Sequence, residues 1–93
     1  MLTTDQILQI TAAHFGVTVR GIKSQQMTKN LYAPRVIAIN LINQRMCLTF
    51  DQMAKVINRD RYLASRYCNE FRSNPLKYLE DFDKISKHLN MLN

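Results

Sequence analysis

Within the stretch NRDRYLASRYCNEFR, residues 58–72, Arg59, Arg61 and Arg66 stand around Asp60 and Tyr62 at the start of a helical pattern. Guanidinium groups suit the recognition of oxyanions and polar edges, because each can fork onto a phosphate or onto guanine O6 and N7. A helix beginning here adds free amide N–H groups and the positive end of its dipole, which also attract phosphate. Asp60 admits two readings, an acceptor for a cytosine amino group or a stabiliser of its own helix N-terminus. Tyr62 and Arg66 lie one turn apart on one face and are the expected specificity contacts. For Tyr62 the competing reading is a half-buried ring braced on the turn.

Other chemistry finds little support. His14 and His88 are isolated, and no Ser/His/Asp or Cys/His arrangement is suggested, so the chain is not expected to be an enzyme. Cys47 and Cys68 have no second cysteine near either, whereas zinc wants Cys and His clustered at short spacing. Buried reduced thiols are the expectation, with no metal and no cofactor.

The net charge of +6 is unevenly placed. Residues 1–19 hold only Asp5, and residues 67–93 balance four basic against four acidic groups. Residues 20–66 carry nine Lys and Arg against Asp51 and Asp60, so the excess lies in the middle of the chain. A phosphate-facing surface calls for such a concentration, and a coat for solubility does not.

The elements that must position these groups are helical. Ninety-three residues are expected to form a single domain, 1–93. Thr3 with Gln6 makes a capping-box pattern, apolar Ile7, Ile10, Ala13 and Phe15 follow, and Gly16 suits a left-handed stop, giving a helix over about 4–15. Thr18 caps a short turn, VRGIKS, and residues 24–30 read as a polar loop. The next helix, about 32–45, is apolar on most faces and therefore central, with Pro34 in its first turn. Thr49 and Gln52 repeat the capping box before a short helix of about 50–56, and Asn58 is taken as the cap of a helix running to about Phe71. Asn74 or Ser73 with Pro75 opens the last helix, whose stripe is Leu76, Leu79, Phe82, Ile85, Leu89 and Leu92. The fold class is all-α, with about six helices. A short helix, a tight turn and a longer basic helix form the layout of a helix-turn-helix, whose second helix enters the major groove by its N-terminal end.

These residues resemble the C-terminal DNA-binding domain of DnaA, the bacterial replication initiator, over about Thr4 to Leu89. The resemblance rests on VTVRGI, on Ala-Pro-Arg at 33–35 where the family has Arg-Pro-Arg, on Arg59–Asp60 where the signature begins Arg-Asp-His-Thr-Thr-Val, and on Cys68. It implies a Trp-repressor-like domain that binds a short duplex site as a monomer. The signature helix would take the major groove and a basic loop the minor groove. By matching position, Arg59 and Asp60 would touch phosphate and base edges, while Lys29, Arg35 and Thr49 would touch the backbone.

The departures are as informative. Arg61, Tyr62 and Leu63 replace His-Thr-Thr, and Met27 stands where the family has its minor-groove arginine, with Gln25 and Gln26 beside it. An altered base readout follows, with general duplex affinity retained. The chain carries no G-x-x-x-x-G-K-[ST] phosphate loop, so it is expected to work without an ATPase. The opening Met1 and the capped first helix favour a natural start. Double-stranded DNA is the expected partner, in the cytoplasm at the nucleoid. The other reading is a protein-interaction module that keeps the fold and loses the readout, with a partner or a second copy meeting the last helix. Plain core packing is the more economical account of that stripe.

Overall fold

The computed structural model describes residues 2–92. Six helices follow one another: α1 (Thr4–Phe15), α2 (Val19–Ile22), α3 (Lys29–Met46), α4 (Phe50–Val56), α5 (Arg61–Ser73) and α6 (Pro75–Asn90). There is no strand among the described residues. No helix there is long and apolar enough to cross a membrane.

The caps do what their side chains allow. The Thr3 hydroxyl accepts from the Gln6 amide while the Gln6 side chain accepts from the Thr3 amide, and Thr49 and Gln52 repeat the exchange. Gly16 ends α1 at φ 68°, where a side chain would be strained. Thr18 starts α2 by accepting from the Gly21 amide at 2.9 Å.

Helix α3 is the axis of the fold and packs against α1, α2, α4, α5 and α6. Its residues Pro34 to Ile39 are buried without interruption, as a helix surrounded on all sides requires. The core around it is filled by Ile7, Leu8, Ile22, Leu41, Ile42, Met53, Ile57, Tyr67, Tyr78, Ile85 and Leu89.

Two boundaries differ from the sequence reading. Helix α3 begins at Lys29, three residues before the expected start, so Pro34 lies in its second turn and not its first. The proline simply leaves the Asn30 carbonyl without its usual partner. The second difference concerns Asn58, which does not cap α5. It adopts φ 58° just after α4, its amide bonds the Lys55 carbonyl at 3.2 Å, and the Arg59 amide bonds the Ala54 carbonyl at 2.9 Å. This pair is a Schellman ending, and Asn is among the few non-glycine residues that tolerate its left-handed position. Helix α5 is capped instead by Asp60, whose Oδ1 accepts from the Leu63 amide at 3.0 Å.

The apolar stripe of α6 divides. Ile85 and Leu89 are buried and Phe82 is partly buried against the core, while Leu76 and Leu79 are exposed. Leu92, the last residue of the stripe, is also exposed, so core packing accounts for the middle of the stripe and not for its two ends.

Candidate nucleic-acid interface

Helix α4, the connection Ile57–Asp60 and helix α5 pack closely, with Met53, Ala54, Ile57, Ala64, Tyr67 and Cys68 buried between them and α3. Ile57 is buried completely, which fixes the corner between the two helices. Since α5 starts at Arg61, the charged cluster of the sequence is shared between two settings. Arg59 and Asp60 belong to the turn, and Arg61, Tyr62 and Arg66 belong to the first two turns of the helix.

On the helix, Arg61 and Arg66 are exposed and Tyr62 is 80% exposed, so Tyr62 is not braced on the turn. The Arg61 Nε lies 3.7 Å from Asp51 Oδ1, a loose pair between exposed groups that contributes little to stability. Leu63, expected among the contacts, packs against the core instead. Four residues before Tyr67, it lies on the flank of α5 between the buried side and the face that carries Tyr62 and Arg66.

Arg35 requires the largest correction. It was expected to touch the DNA backbone, yet only 1% of it is exposed. Its Nε donates to the Ile22 carbonyl at 3.0 Å and its Nη1 to the Gln26 carbonyl at 2.6 Å. Its Nη2 donates to the carbonyls of Gly21 at 3.2 Å and Ser24 at 2.9 Å. These bonds gather the segment from α2 to α3 around one side chain and leave the guanidinium turned away from any outside phosphate. Burial lowers the Arg35 pKa and the charge of Arg59 acts in the same direction, with Tyr67 opposing. An arginine stays protonated at neutral pH under such a shift, so the charge is retained beneath the loop.

Arg59 is half-buried and faces the same loop. Its Nη1 donates to the Gln25 Oε1 at 3.1 Å and to the Ser24 carbonyl at 3.4 Å. Gln25 in turn donates to the Asn58 carbonyl at 2.8 Å, and the Asn58 side chain donates to the Lys23 carbonyl at 3.2 Å. The loop after α2 and the corner before α5 are therefore tied into one body by Gln25, Asn58 and Arg59. Sequence reasoning gave Gln25 and Asn58 no such role, because partners 33 positions apart leave no local pattern.

Lys29 and Thr28 stand exposed at the start of α3. A cation on the first helical residue opposes the dipole, and Thr28 makes no side-chain cap bond, so this end is not arranged for helix stability. Thr49 is exposed, and its cap bond uses an oxygen lone pair, which leaves the O–H free to donate outward. Ser65 and Asn69, which the sequence reading passed over, join Tyr62 and Arg66 along the outer side of α5 and line a shallow depression of about 310 Å³. Their spacing from Tyr62, at i+3 and i+7, is the signal that could have found them.

A buried central helix, a Schellman corner and a following helix whose outer side is basic define a helix-turn-helix of the DNA-binding class. The family model described as the bacterial dnaA protein helix-turn-helix matches residues 4–70. The chain belongs to that family and is a DnaA-type DNA-binding helix-turn-helix domain. The match ends within α5, short of Leu89 where the resemblance ends, so α6 lies beyond it. No curated protein matches the chain.

Proposed function

We propose that this chain binds duplex DNA as one unit at the nucleoid, with α5 set into the major groove by its N-terminal end. The base readout differs from that of the family, and the 93 residues themselves carry no G-x-x-x-x-G-K-[ST] phosphate loop. The observation that carries this reading is the exposure of Arg61, Tyr62 and Arg66 on the first two turns of α5, directly after the capped corner. The phosphate contacts are Lys29, Arg61 and the Thr49 hydroxyl. Arg35 and Arg59 act from behind, by shaping the loop and holding it to the corner, and Asp60 acts as the helix cap. The protein acts by occupying sites or competing for them.

Fluorescence anisotropy with labelled duplexes tests this. The two cations placed on phosphates, Lys29 and Arg61, correspond to a slope of log K against log salt of about −1.8. Tight binding to duplexes with a slope near that value is the expected result. A family origin site and a shuffled one should bind alike, since the reading residues have changed. A clear preference for the origin site would show that the family readout survives, and no binding at low salt would overturn the proposal.

A second reading has one observation in its favour. Leu76 is 87% exposed and Leu79 43% exposed on α6, outside the matched region. An α6 that docks a protein partner would account for them, and a chain that binds no duplex at low salt would favour it.

A further inference from the structure

We infer that Asn69 and Arg66 form a two-residue reading unit on α5 that specifies an adenine beside a guanine. The inference rests on the proposal that α5 lies in the major groove, and it names the bases that this helix reads.

The outer side of α5 presents Tyr62, Ser65, Arg66 and Asn69 at positions i, i+3, i+4 and i+7. Ala64, Tyr67 and Cys68 occupy the opposite side and are buried. Tyr62, Arg66 and Asn69 are exposed, and Ser65 is partly so. Among the described residues, no intramolecular hydrogen bond or ion pair engages any of these four side chains. Several neighbouring polar groups are engaged within the chain instead. Arg35 and Arg59 are spent on the loop, Arg61 pairs loosely with Asp51, and Glu70 accepts from the Tyr78 hydroxyl at 2.7 Å.

The chemistry of the two side chains points to base edges. A carboxamide offers one donor and one acceptor side by side, which matches the acceptor N7 and donor N6 of adenine. A phosphate offers only acceptors, so an Asn set against it would leave its own oxygen unpaired. Arg66 can fork onto guanine O6 and N7. Three residues of helix advance about 4.5 Å along the axis, against about 3.4 Å for one step along a DNA strand. Asn69 and Arg66 therefore meet neighbouring base pairs. Ser65, the smallest of the four, leaves the depression open for a base edge to enter.

The test is selection of bound duplexes from a random pool with the wild-type chain, Asn69→Ala and Arg66→Ala. Competition titrations on the selected site and its single-base changes follow. Both side chains are exposed and bond nothing among the described residues, and matching urea midpoints will verify that the variants fold. The wild type should select a site containing adjacent guanine and adenine. Asn69→Ala should lose discrimination at the adenine alone, and Arg66→Ala at the guanine alone, each by about tenfold to a hundredfold. Asn69→Ala with unchanged preference at every position would overturn the inference and leave DNA binding standing. Wild-type binding without any preference would do the same. Failure of the wild type to bind any duplex at low salt would remove both the inference and the reading beneath it.

Discussion

Replacing Arg35 by alanine separates the two roles this residue could have. Its guanidinium makes four N–H···O=C bonds of 2.6 to 3.2 Å from a site that is almost fully enclosed. A hydrogen bond from a charged group contributes about 1.5–3 kcal/mol. Truncation does not forfeit four times that amount, because three of the four bonds are only partly buried and their carbonyls regain water. The desolvation of the guanidinium is also relieved. A net cost of about 3 kcal/mol is expected, a large fraction of the stability of about 5–15 kcal/mol typical of a domain. With a urea dependence of about 1.5 kcal/mol per molar, the midpoint should fall by about 2 M, read by circular dichroism at 222 nm. Arg35→Lys should recover only part of this, since an ammonium cannot reach carbonyls arranged around a fork. Lys29→Ala is the contrast. It should leave the midpoint nearly unchanged while lowering DNA affinity and reducing the salt slope by about 0.9. If Arg35→Ala instead unfolds within about 0.5 kcal/mol of the wild type and loses one phosphate from the salt slope, Arg35 is an external contact and the enclosed geometry is wrong.

The remaining expectations concern the cap, the tyrosines and the thiols. Asp60→Ala should cost about 1 kcal/mol while Asp60→Asn, which also caps, should cost little; a loss of DNA affinity in Asp60→Asn at full stability would restore the cytosine contact. The Tyr78 pKa is raised above its ordinary 10.0, first by burial and then by its hydrogen bond to Glu70. Its contribution to stability is therefore complete below pH 10.0 and is lost as pH rises above that. The fall for one such group is about 1.4 kcal/mol per pH unit. Urea midpoints measured across this range should decline less steeply in Tyr78→Phe, and an identical decline would refute the assignment. Cys47 is exposed and Cys68 buried, with burial raising the Cys68 thiol. A thiol reagent should modify one cysteine in the native protein and the second only on unfolding, and two fast reactions would contradict that arrangement.

The local features of this protein are written in its sequence. The two Thr/Gln capping boxes, the glycine that stops α1, the Asn74–Pro75 break before α6 and the unbroken apolar faces of α3 each act within a few residues. Short-range rules therefore located those helices. The same locality explains why Asn58 was misplaced. Asn and Asp two positions apart can both cap a helix, and only the left-handed turn that closes α4 assigns Asn58 to one helix and Asp60 to the next. The basic stretch around Arg59 was equally legible as composition, and so was the family pattern that joins it to Ala-Pro-Arg. What composition could not fix was the direction in which each arginine points. Arg35 turns inward because the chain from α2 to α3 folds around it and presents four carbonyls. Arg59 turns toward a loop more than thirty residues away because Gln25 and Asn58 bring that loop to the corner. Arg61 and Arg66, of the same residue type, are left outward because the other side of α5 is filled by Ala64, Tyr67 and Cys68. Charge could be counted along the chain, but its division between scaffold and surface was decided only by tertiary packing, since a guanidinium serves a ring of carbonyls as well as it serves a phosphate.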